Sequence, residues 1–208
     1  MKTHFAILFK SLFLGTITPL VISCTNGQTT ERLLPYIDTR VGTAASITHT
    51  AGMFGKHTEE YGQTLPAVLE PNGMNFWTPQ TQDTEQKCIA PYYYRDSLFQ
   101  GFRNSHWITG GCTQDYGSMT LAALFDSLRC IPEKRGTRFA HEQETATPSY
   151  YSVTLPEEHL QAEMTGRSRS AIFRFTYQKA GKAYLIVNPN SDEGEGYIEI
   201  DTLQKRIY

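Results

Sequence analysis

The stretch YYSVTLPEEHLQAEMTGRSRSAIFRFTY, residues 150–177, decides the fold class of this chain. Apolar and polar side chains alternate in three runs within it, over residues 151–155, 160–164 and 171–177. A period of two residues is typical of a β-strand with one buried face. The connections between the runs are short, whereas a parallel crossover needs about a dozen residues. The stretch therefore predicts antiparallel strands.

The strand pattern extends to both sides of this stretch. Residues 119–125 alternate in the same way, and the apolar run 183–187 predicts a strand buried on both faces. Residues 196–201 predict a further strand, and residues 205–208 resemble the start of the next one. Because the mature chain has no long amphipathic helical stripe, we predict an all-β fold, an antiparallel β-sandwich. An edge cut within a hairpin exposes unpaired backbone groups, so we expect the sandwich to be truncated at its C-terminus; a genuine terminal strand is the alternative.

Composition bounds the size of the domain and the kind of partner. The chain has 208 residues, of which 39% are hydrophobic, with 19 Lys+Arg against 21 Asp+Glu. This length allows one sizeable domain or two small ones. The formal net charge of −2 offers no basic face, so we expect no nucleic-acid partner. Residues 33–86 are rich in Gly, Thr and Pro and favour loops, with short strands near 65–69 and 74–77.

The first residues have the pattern of an export signal. Lys2 and Lys10 precede an uncharged run over residues 11–23, and a spanning helix would need about 20 apolar residues. The following Cys24 completes a loose bacterial lipoprotein box, which predicts acylation of Cys24 and a lipid anchor in the membrane. An ordinary cleaved signal is the alternative.

These features divide the chain into three parts. We predict a lipoprotein-type signal peptide over 1–23, a linker over 24–32 and one β-sandwich domain over 33–208. The protein is then exported. We expect it at the outer membrane or cell surface as a lipoprotein, and otherwise in the periplasm.

Cysteine spacing gives no metal site. With Cys24 acylated, Cys88, Cys112 and Cys130 remain, an odd set that cannot pair completely within the chain. One disulfide is possible after export, and a buried free cysteine is the favoured state of at least one of the three. No pair of cysteines has the spacing of a structural zinc site.

A series of short motifs carries the strongest functional indication. The motifs are VGT (41–43), GQTLPA (62–67), PNGM (71–74), CIAPYYYRDS (88–97), GFRNSHW (101–107), GGCTQDYG (110–117), RFAHE (138–142) and ATPSYYSVTL (146–155). In this order they resemble the N-terminal domain of glycoside hydrolase family 92, the exo-acting α-mannosidases. The resemblance covers roughly residues 36–200, and the series is specific although no single motif is.

The resemblance implies a galactose-mutarotase-like super-sandwich that leads into a helical catalytic domain. In the family, that second domain supplies the general acid, the general base and most ligands of an essential Ca²⁺. The reaction inverts the anomeric centre, which needs two carboxyl groups roughly 6.5–9.5 Å apart. We therefore expect mannose-containing glycans and the missing helical domain as partners, and no catalytic residue, metal ligand or cofactor within this chain.

Polar and aromatic residues of the loops are the candidates for carbohydrate contacts. They are Gln63, Thr64, Cys88, Tyr92, His106, Trp107 and Asp115. The alternative for each aromatic is core packing, and a structural role is an equal alternative for His106 and Asp115. Trp77, Tyr93 and Tyr94 are further possible sugar platforms.

Two other functions fit the same sequence. A stand-alone surface lipoprotein could bind carbohydrate without hydrolysis. An accessory or interaction sandwich without any sugar function is also compatible, because a fold does not fix a function.

Overall fold

The computed structural model describes residues 33–49, 62–74, 76–83, 88–107, 115, 118–190 and 196–208. The predicted signal peptide, the linker and Cys24 lie outside the described residues. The strands within the described ranges are β1 (Phe76–Gln80), β2 (Leu98–Phe99), β3 (Gly101–Ser105), β4 (Ser118–Phe125), β5 (Thr137–Arg138), β6 (Glu144–Thr147), β7 (Tyr150–Leu155), β8 (Leu160–Gly166), β9 (Ala171–Tyr177), β10 (Ala183–Asn190), β11 (Ile200–Asp201) and β12 (Arg206–Ile207). The helical elements that lie wholly within these ranges are short: α1 (Pro132–Arg135) and the 3₁₀ turns Leu34–Tyr36, His141–Gln143 and Pro156–Glu158.

Two antiparallel four-stranded sheets form the sandwich. The first sheet has the strand order β1-β3-β4-β10, and the second has the order β6-β7-β8-β9. The chain leaves the first sheet after β4, builds the second sheet as a meander, and returns to the first sheet as β10. Two small pairs, β2-β5 and β11-β12, accompany the sheets.

The inner faces of the two sheets meet in an aromatic core. Phe102 on β3 is fully buried, and its ring lies 5.9 Å from Tyr151, 5.7 Å from Phe173 and 6.1 Å from Phe175 between centroids. Trp77 on β1 packs edge-on against Phe173 at 4.6 Å. Because paired strand residues share a face, the apolar positions of neighbouring strands fall together on the inner side. The remaining buried core residues are Val68, Tyr92, Phe99, Ala123, Phe139, Ala146, Val153, Leu155, Leu160, Ala162 and Met164.

The predicted alternation is confirmed in the second sheet. The inner positions of β7 and β8 are buried, and those of β9 are half-buried while the residues between them are exposed. The alternating stretch 119–125 lies in β4 of the first sheet. The fold prediction, an antiparallel β-sandwich, is therefore correct.

The prediction that the strand at 183–187 is buried on both faces is wrong. These residues do form a strand, but β10 pairs with β4 on one side and has no second partner strand among the described residues. Leu185 on the inner face is 57% exposed. A continuous apolar run fixes a strand well, whereas its burial depends on neighbours that the run does not contain.

Three shorter predictions also change. Within the predicted strand 65–69, Val68 alone forms a β-bridge, to Trp77. The predicted strand at 74–77 begins later, as β1 at Phe76–Gln80. The predicted strand 196–201 is shorter in the structure, as β11 at Ile200–Asp201, and it pairs with β12, with Ile200 opposite Ile207.

The helices named above are too short to cross a membrane. Within the described ranges, no helix combines the length and the apolar character that crossing a bilayer requires.

The aromatic core makes Phe102 a sensitive position. Phe102→Ala should lower the free energy of unfolding by about 3–5 kcal/mol, because the cavity lies between both sheets and four aromatic neighbours lose contact. Urea denaturation measures this change. Ile172→Ala, at a position 70% exposed on the outer face of β9, is the control and should change stability by less than about 0.5 kcal/mol. Equal losses in both variants would contradict the assigned core.

The outer face of the second sheet holds a buried carboxylate with an acid-dependent contribution to stability. Glu163 on β8 accepts two hydrogen bonds of 2.5 Å from Arg174 and one of 2.7 Å from Tyr150. These bonds, chiefly those from Arg174, lower the pKa of Glu163 from 4.5 to about 2. Since the folded-state pKa lies below the unfolded value, the contribution is complete above pH 4.5 and is lost as the pH falls towards about 2.

Glu163→Gln should therefore be less stable than wild type at neutral pH and should lose less stability on acidification. Denaturation series between neutral pH and pH 2 measure both slopes. Parallel slopes for the variant and the wild type would contradict the assignment.

Candidate functional site

A cleft of about 610 Å³ opens between three loop segments of the sandwich. The segments are residues 40–48, the start of the GQTLPA motif at Gly62 and Gln63, and Tyr94 in the tyrosine run before β2. Its lining residues are Arg40, Gly42, Ala44, Ala45, Ser46, Ile47, Thr48, Gly62, Gln63 and Tyr94. The cleft therefore combines a cation, an amide and an aromatic ring with a wall of small side chains and backbone.

Backbone hydrogen bonds tie the three segments together. The Gln63 N–H donates to the Gly42 carbonyl at 2.9 Å, and the Tyr94 N–H donates to the Thr43 carbonyl at 3.0 Å. Both glycines at this junction have left-handed backbones, with φ of +86° at Gly42 and +82° at Gly62. A Cβ on Gly62 would lie 2.5 Å from the carbonyl carbon of Thr43. Glycine is thus required here both by conformation and by the close approach of the two loops.

Arg40 connects the cleft to the second sheet. Its guanidinium donates to Asp38 through Nε and Nη2, and Nη1 donates to the His141 carbonyl at 2.8 Å. Hydrogen bonding to Asp38 raises the pKa of Arg40, and the same contact lowers the pKa of Asp38. Nη1 also lies 3.7 Å from Glu144, the first residue of β6. The guanidinium is therefore held in place by partners outside the cleft.

Behind the cleft, Glu144 is the centre of a buried hydrogen-bond cluster. Its side chain is fully buried and accepts hydrogen bonds from the hydroxyls of Tyr151 and Tyr92, the latter at 3.1 and 3.2 Å. His141 Nδ1 lies 2.6 Å from Glu144 Oε2. Burial, together with the Glu144 charge, raises the pKa of both tyrosine hydroxyls, so both remain neutral donors at neutral pH.

His141 connects this cluster to the cleft. Its ring stacks on the Tyr94 ring, with centroids 3.9 Å apart and 6° between the planes. Its Nε2 forms a short hydrogen bond with the Tyr94 carbonyl oxygen. Tyr94, which is 38% exposed and lines the cleft, is thus held by both its ring and its backbone.

Of the residues predicted to contact carbohydrate, Gln63 lies in the cleft. Thr64 is next to it, half-buried, with its hydroxyl donating to the Val41 carbonyl at 2.7 Å. Tyr92 lies behind the cleft with no exposed surface, held by Glu144. In this conformation Tyr92 supports the cleft wall and has no face available to a ligand.

A second predicted group, Asp115, His106 and Trp107, gathers at the end of β3, and none of its members lines the cleft. The buried Asp115 carboxylate accepts hydrogen bonds from Arg103 at 3.1 Å, from Ser105 at 2.6 Å and from the His106 N–H at 2.8 Å. Trp107 is 3% exposed, whereas His106 is exposed. These contacts make Asp115 an anchor of the β3 terminus, and a sugar contact by this group stays a prediction.

Cys88 belongs to neither group. It is disulfide-bonded, and Cys130 is an exposed free thiol. Cys24 and Cys112 lie outside the described residues. The disulfide gives Cys88, the first residue of the CIAPYYYRDS motif, a structural role.

Sequence reasoning did not select Arg40, His141 or Glu144 as site residues. Glu144 pairs with Val153, an inner-face position where an acidic residue indicates a buried, partnered carboxylate, but this pairing is visible only in the structure. His141 belongs to the RFAHE motif, and nothing in the motif itself indicates its contacts with Glu144 and Tyr94. The Asp38–Arg40 pair needs the turn geometry, which spacing alone does not reveal.

A smaller polar cleft of about 330 Å³ lies near β2 and includes Asp83, Asp96 and Glu133. Asp96 accepts hydrogen bonds from Thr81 at 2.6 Å and from Gln82 at 2.8 Å, and burial raises its pKa. Within the described ranges, no three His, Cys, Asp or Glu side chains are grouped to hold a metal ion. A Ca²⁺ ion needs six to eight oxygen ligands, so these residues do not fit one.

The packing of the loops at Gly62 predicts that a single added methyl group lowers stability strongly. Gly62→Ala should lower the free energy of unfolding by at least about 2 kcal/mol, because the left-handed backbone and the contact with Thr43 both oppose a Cβ. Thermal or urea denaturation measures the loss. Ala44→Ser in the same cleft is the control and should be nearly neutral. A Gly62→Ala protein as stable as wild type would contradict this loop packing.

Comparisons with known proteins agree with the fold and the motifs. The family description "Glycosyl hydrolase family 92 N-terminal domain" matches residues 36–207. The GH92 inverting mannosidase BT2199 from Bacteroides thetaiotaomicron is 33% identical to this chain, with a TM-score of 0.64 over 77% of this chain and 20% of that chain. The GH92 α-mannosidase BT3965 from the same organism is 26% identical, with a TM-score of 0.63 over the same shares. It has also been solved with mannoimidazole.

No curated protein matches this chain at a significant level. The chain spans about a fifth (20%) of the length of the solved mannosidases named above. The family match covers nearly all of the described sandwich, and the solved structures named above are mannosidases of that family. This chain therefore belongs to glycoside hydrolase family 92, of which it carries the N-terminal domain.

Proposed function

We propose that this domain is the sugar-contacting part of a Ca²⁺-dependent, inverting α-mannosidase that acts on mannose-containing glycans. One observation carries the proposal: Arg40, Gln63 and Tyr94 line a single cleft, and Gln63 lies in a motif shared with the family. The similar solved structures are an inverting mannosidase and an α-mannosidase, which supports the substrate class.

The lining chemistry suits a sugar. Hydroxyl groups need donors and acceptors at fixed positions, and the C–H face of a pyranose packs on an aromatic ring. Gln63 Nε2 donates to the Gly62 carbonyl at 2.9 Å, which fixes the amide and leaves its oxygen as an acceptor for a hydroxyl. Tyr94 supplies an aromatic wall, and Arg40 supplies a cation held by Asp38.

The catalytic carboxylates belong elsewhere in this proposal. No carboxylate is among the described residues that line the cleft, whereas inverting hydrolysis requires a general acid and a general base roughly 6.5–9.5 Å apart. We assign both groups and the Ca²⁺ ligands to polypeptide other than these residues, in the helical domain that the family resemblance implies. The sandwich then binds and orients the glycan.

The proposal includes the cellular location. The basic N-terminus, the uncharged run and Cys24 support export and a lipid anchor. An enzyme anchored outside the cell membrane meets polymeric glycans directly, which fits a glycan-binding cleft.

Calorimetric titration of the 208-residue chain with α-linked mannobioses tests the sugar assignment. We expect saturable binding in the millimolar range, weakened about tenfold by Gln63→Ala because one hydroxyl partner is lost. Gln161→Ala, on the exposed outer face of β8, is the matched control and should bind like wild type. A flat wild-type titration at millimolar sugar would remove the carbohydrate proposal.

The same chain, supplied with Ca²⁺, should release no mannose from α-mannosides. Chromatography of the sugars after incubation measures this. Clear release would show that the catalytic carboxylates lie within this chain after all.

A further inference from the structure

The buried carboxylate of Glu144 needs a counter-charge that Arg40 supplies only in part. A fully buried carboxylate needs a counter-charge as well as hydrogen-bond donors. Arg40 is the cation on this side, but Asp38 already binds its Nε at 3.0 Å and its Nη2 at 2.8 Å. The remaining nitrogen, Nη1, donates to the His141 carbonyl and lies 3.7 Å from Glu144. Arg40 is thus mainly the partner of Asp38.

His141 is placed to supply the missing charge. Nδ1 lies 2.6 Å from the Glu144 carboxylate, and Nε2 is hydrogen-bonded to the Tyr94 carbonyl oxygen. A main-chain carbonyl accepts hydrogen bonds and cannot donate one, and an ionised carboxylate likewise only accepts. With Glu144 ionised, both ring nitrogens therefore carry a proton. His141 is an imidazolium in this arrangement, and its charge is opposed by Glu144.

Other neighbours of the ring are compatible with that charge. The Tyr94 ring is stacked on it, an arrangement in which an aromatic face attracts a cation. The Tyr92 hydroxyl is 3.4 Å from Nδ1, and the edge-on Phe139 ring is 5.3 Å away between centroids. Among the described residues, the titratable and charged groups around His141 are Asp38, Arg40, Tyr92, Tyr94, Glu144 and Tyr151. With His141 protonated, two cations balance two carboxylates in this set.

We propose that Glu144 is a positioning residue for the cleft: it holds His141 in the imidazolium form, and His141 in turn fixes Tyr94 in the cleft wall. Glu144 acts without touching a ligand, since its side chain is fully buried. The protonated ring makes a charge-assisted hydrogen bond to the Tyr94 carbonyl, which is roughly twice as strong as a neutral one. The identity of the ligand rests on the proposed function, whereas the positioning role does not.

Replacing the Glu144 carboxylate by an amide removes the charge and nearly preserves the shape of the side chain. In Glu144→Gln the amide can still accept from a tyrosine hydroxyl, and its NH₂ can donate to Nδ1 of His141. The histidine then becomes neutral, with its one proton on Nε2. We expect Tyr94 to lose the cation beneath its ring and part of its backbone anchor.

Nitrogen NMR of the imidazole rings in the full chain measures this directly. In the wild type at pH 7, both His141 nitrogens should show the protonated pattern; in Glu144→Gln, the ring should show the split pattern of a neutral Nε2–H form. His141→Gln identifies the His141 signals. Glu163→Gln removes another buried, tyrosine-bound carboxylate from the same sheet and should leave the His141 signals unchanged.

A neutral His141 ring in the wild type at pH 7 would overturn the proposal, and this measurement does not need the variant to fold. Unchanged His141 and Tyr94 ring signals in a folded Glu144→Gln protein would also overturn it. Mannobiose titration of the same samples adds the functional result. We expect roughly threefold to tenfold weaker binding in Glu144→Gln and wild-type binding in Glu163→Gln. If the wild type binds no mannobiose while the NMR results are as expected, the sugar assignment fails and the positioning role stands.

Discussion

The burial of one carboxylate links the core of this protein to its surface cleft. Glu144 stands at an inner-face position of the second sheet, where a hydrophobic residue would be ordinary. An uncompensated charge there would cost several kcal/mol, so its partners must stay in place: two tyrosines from different parts of the chain, a histidine and an arginine. The packing of the sandwich and the shape of the cleft therefore depend on the same group.

Much of the fold could be predicted from side-chain alternation. The period of two residues in 151–177 identifies β7, β8 and β9, because each inward residue there packs against the opposite sheet. The burial of β10 could not be predicted in this way. Its apolar run resembles a central strand, but burial depends on which strand lies beside it, and β4 is the one neighbour among the described residues. Long loops such as 62–74 contain too little pattern to place their short bridges.

The predicted sugar contacts stay predictions, but the structure shows where their residues lie. Gln63 lies in the cleft, whereas Tyr92 and Asp115 point into hydrogen-bond clusters within the protein. A sequence shows which groups can bind a hydroxyl, and it does not show whether another part of the same chain already occupies them. Arg40 and His141 could not be selected from the sequence, because their roles depend on contacts between distant residues. Arg40 binds the His141 carbonyl across 101 residues, and His141 binds the Tyr94 carbonyl across 47 residues.

The insertion of the second sheet between β4 and β10 has a kinetic consequence. The meander β6–β9 joins neighbours through short turns, so its contacts are local and close at small entropic cost. The pairing of Ser118 with Asn190 must instead bring together strands separated by that entire meander. Chains dominated by such distant pairings reach their native state slowly, over milliseconds to seconds. We therefore expect the pairing of β10 with β4 to form late, whereas β1, β3 and β4 are close along the chain and can pair earlier.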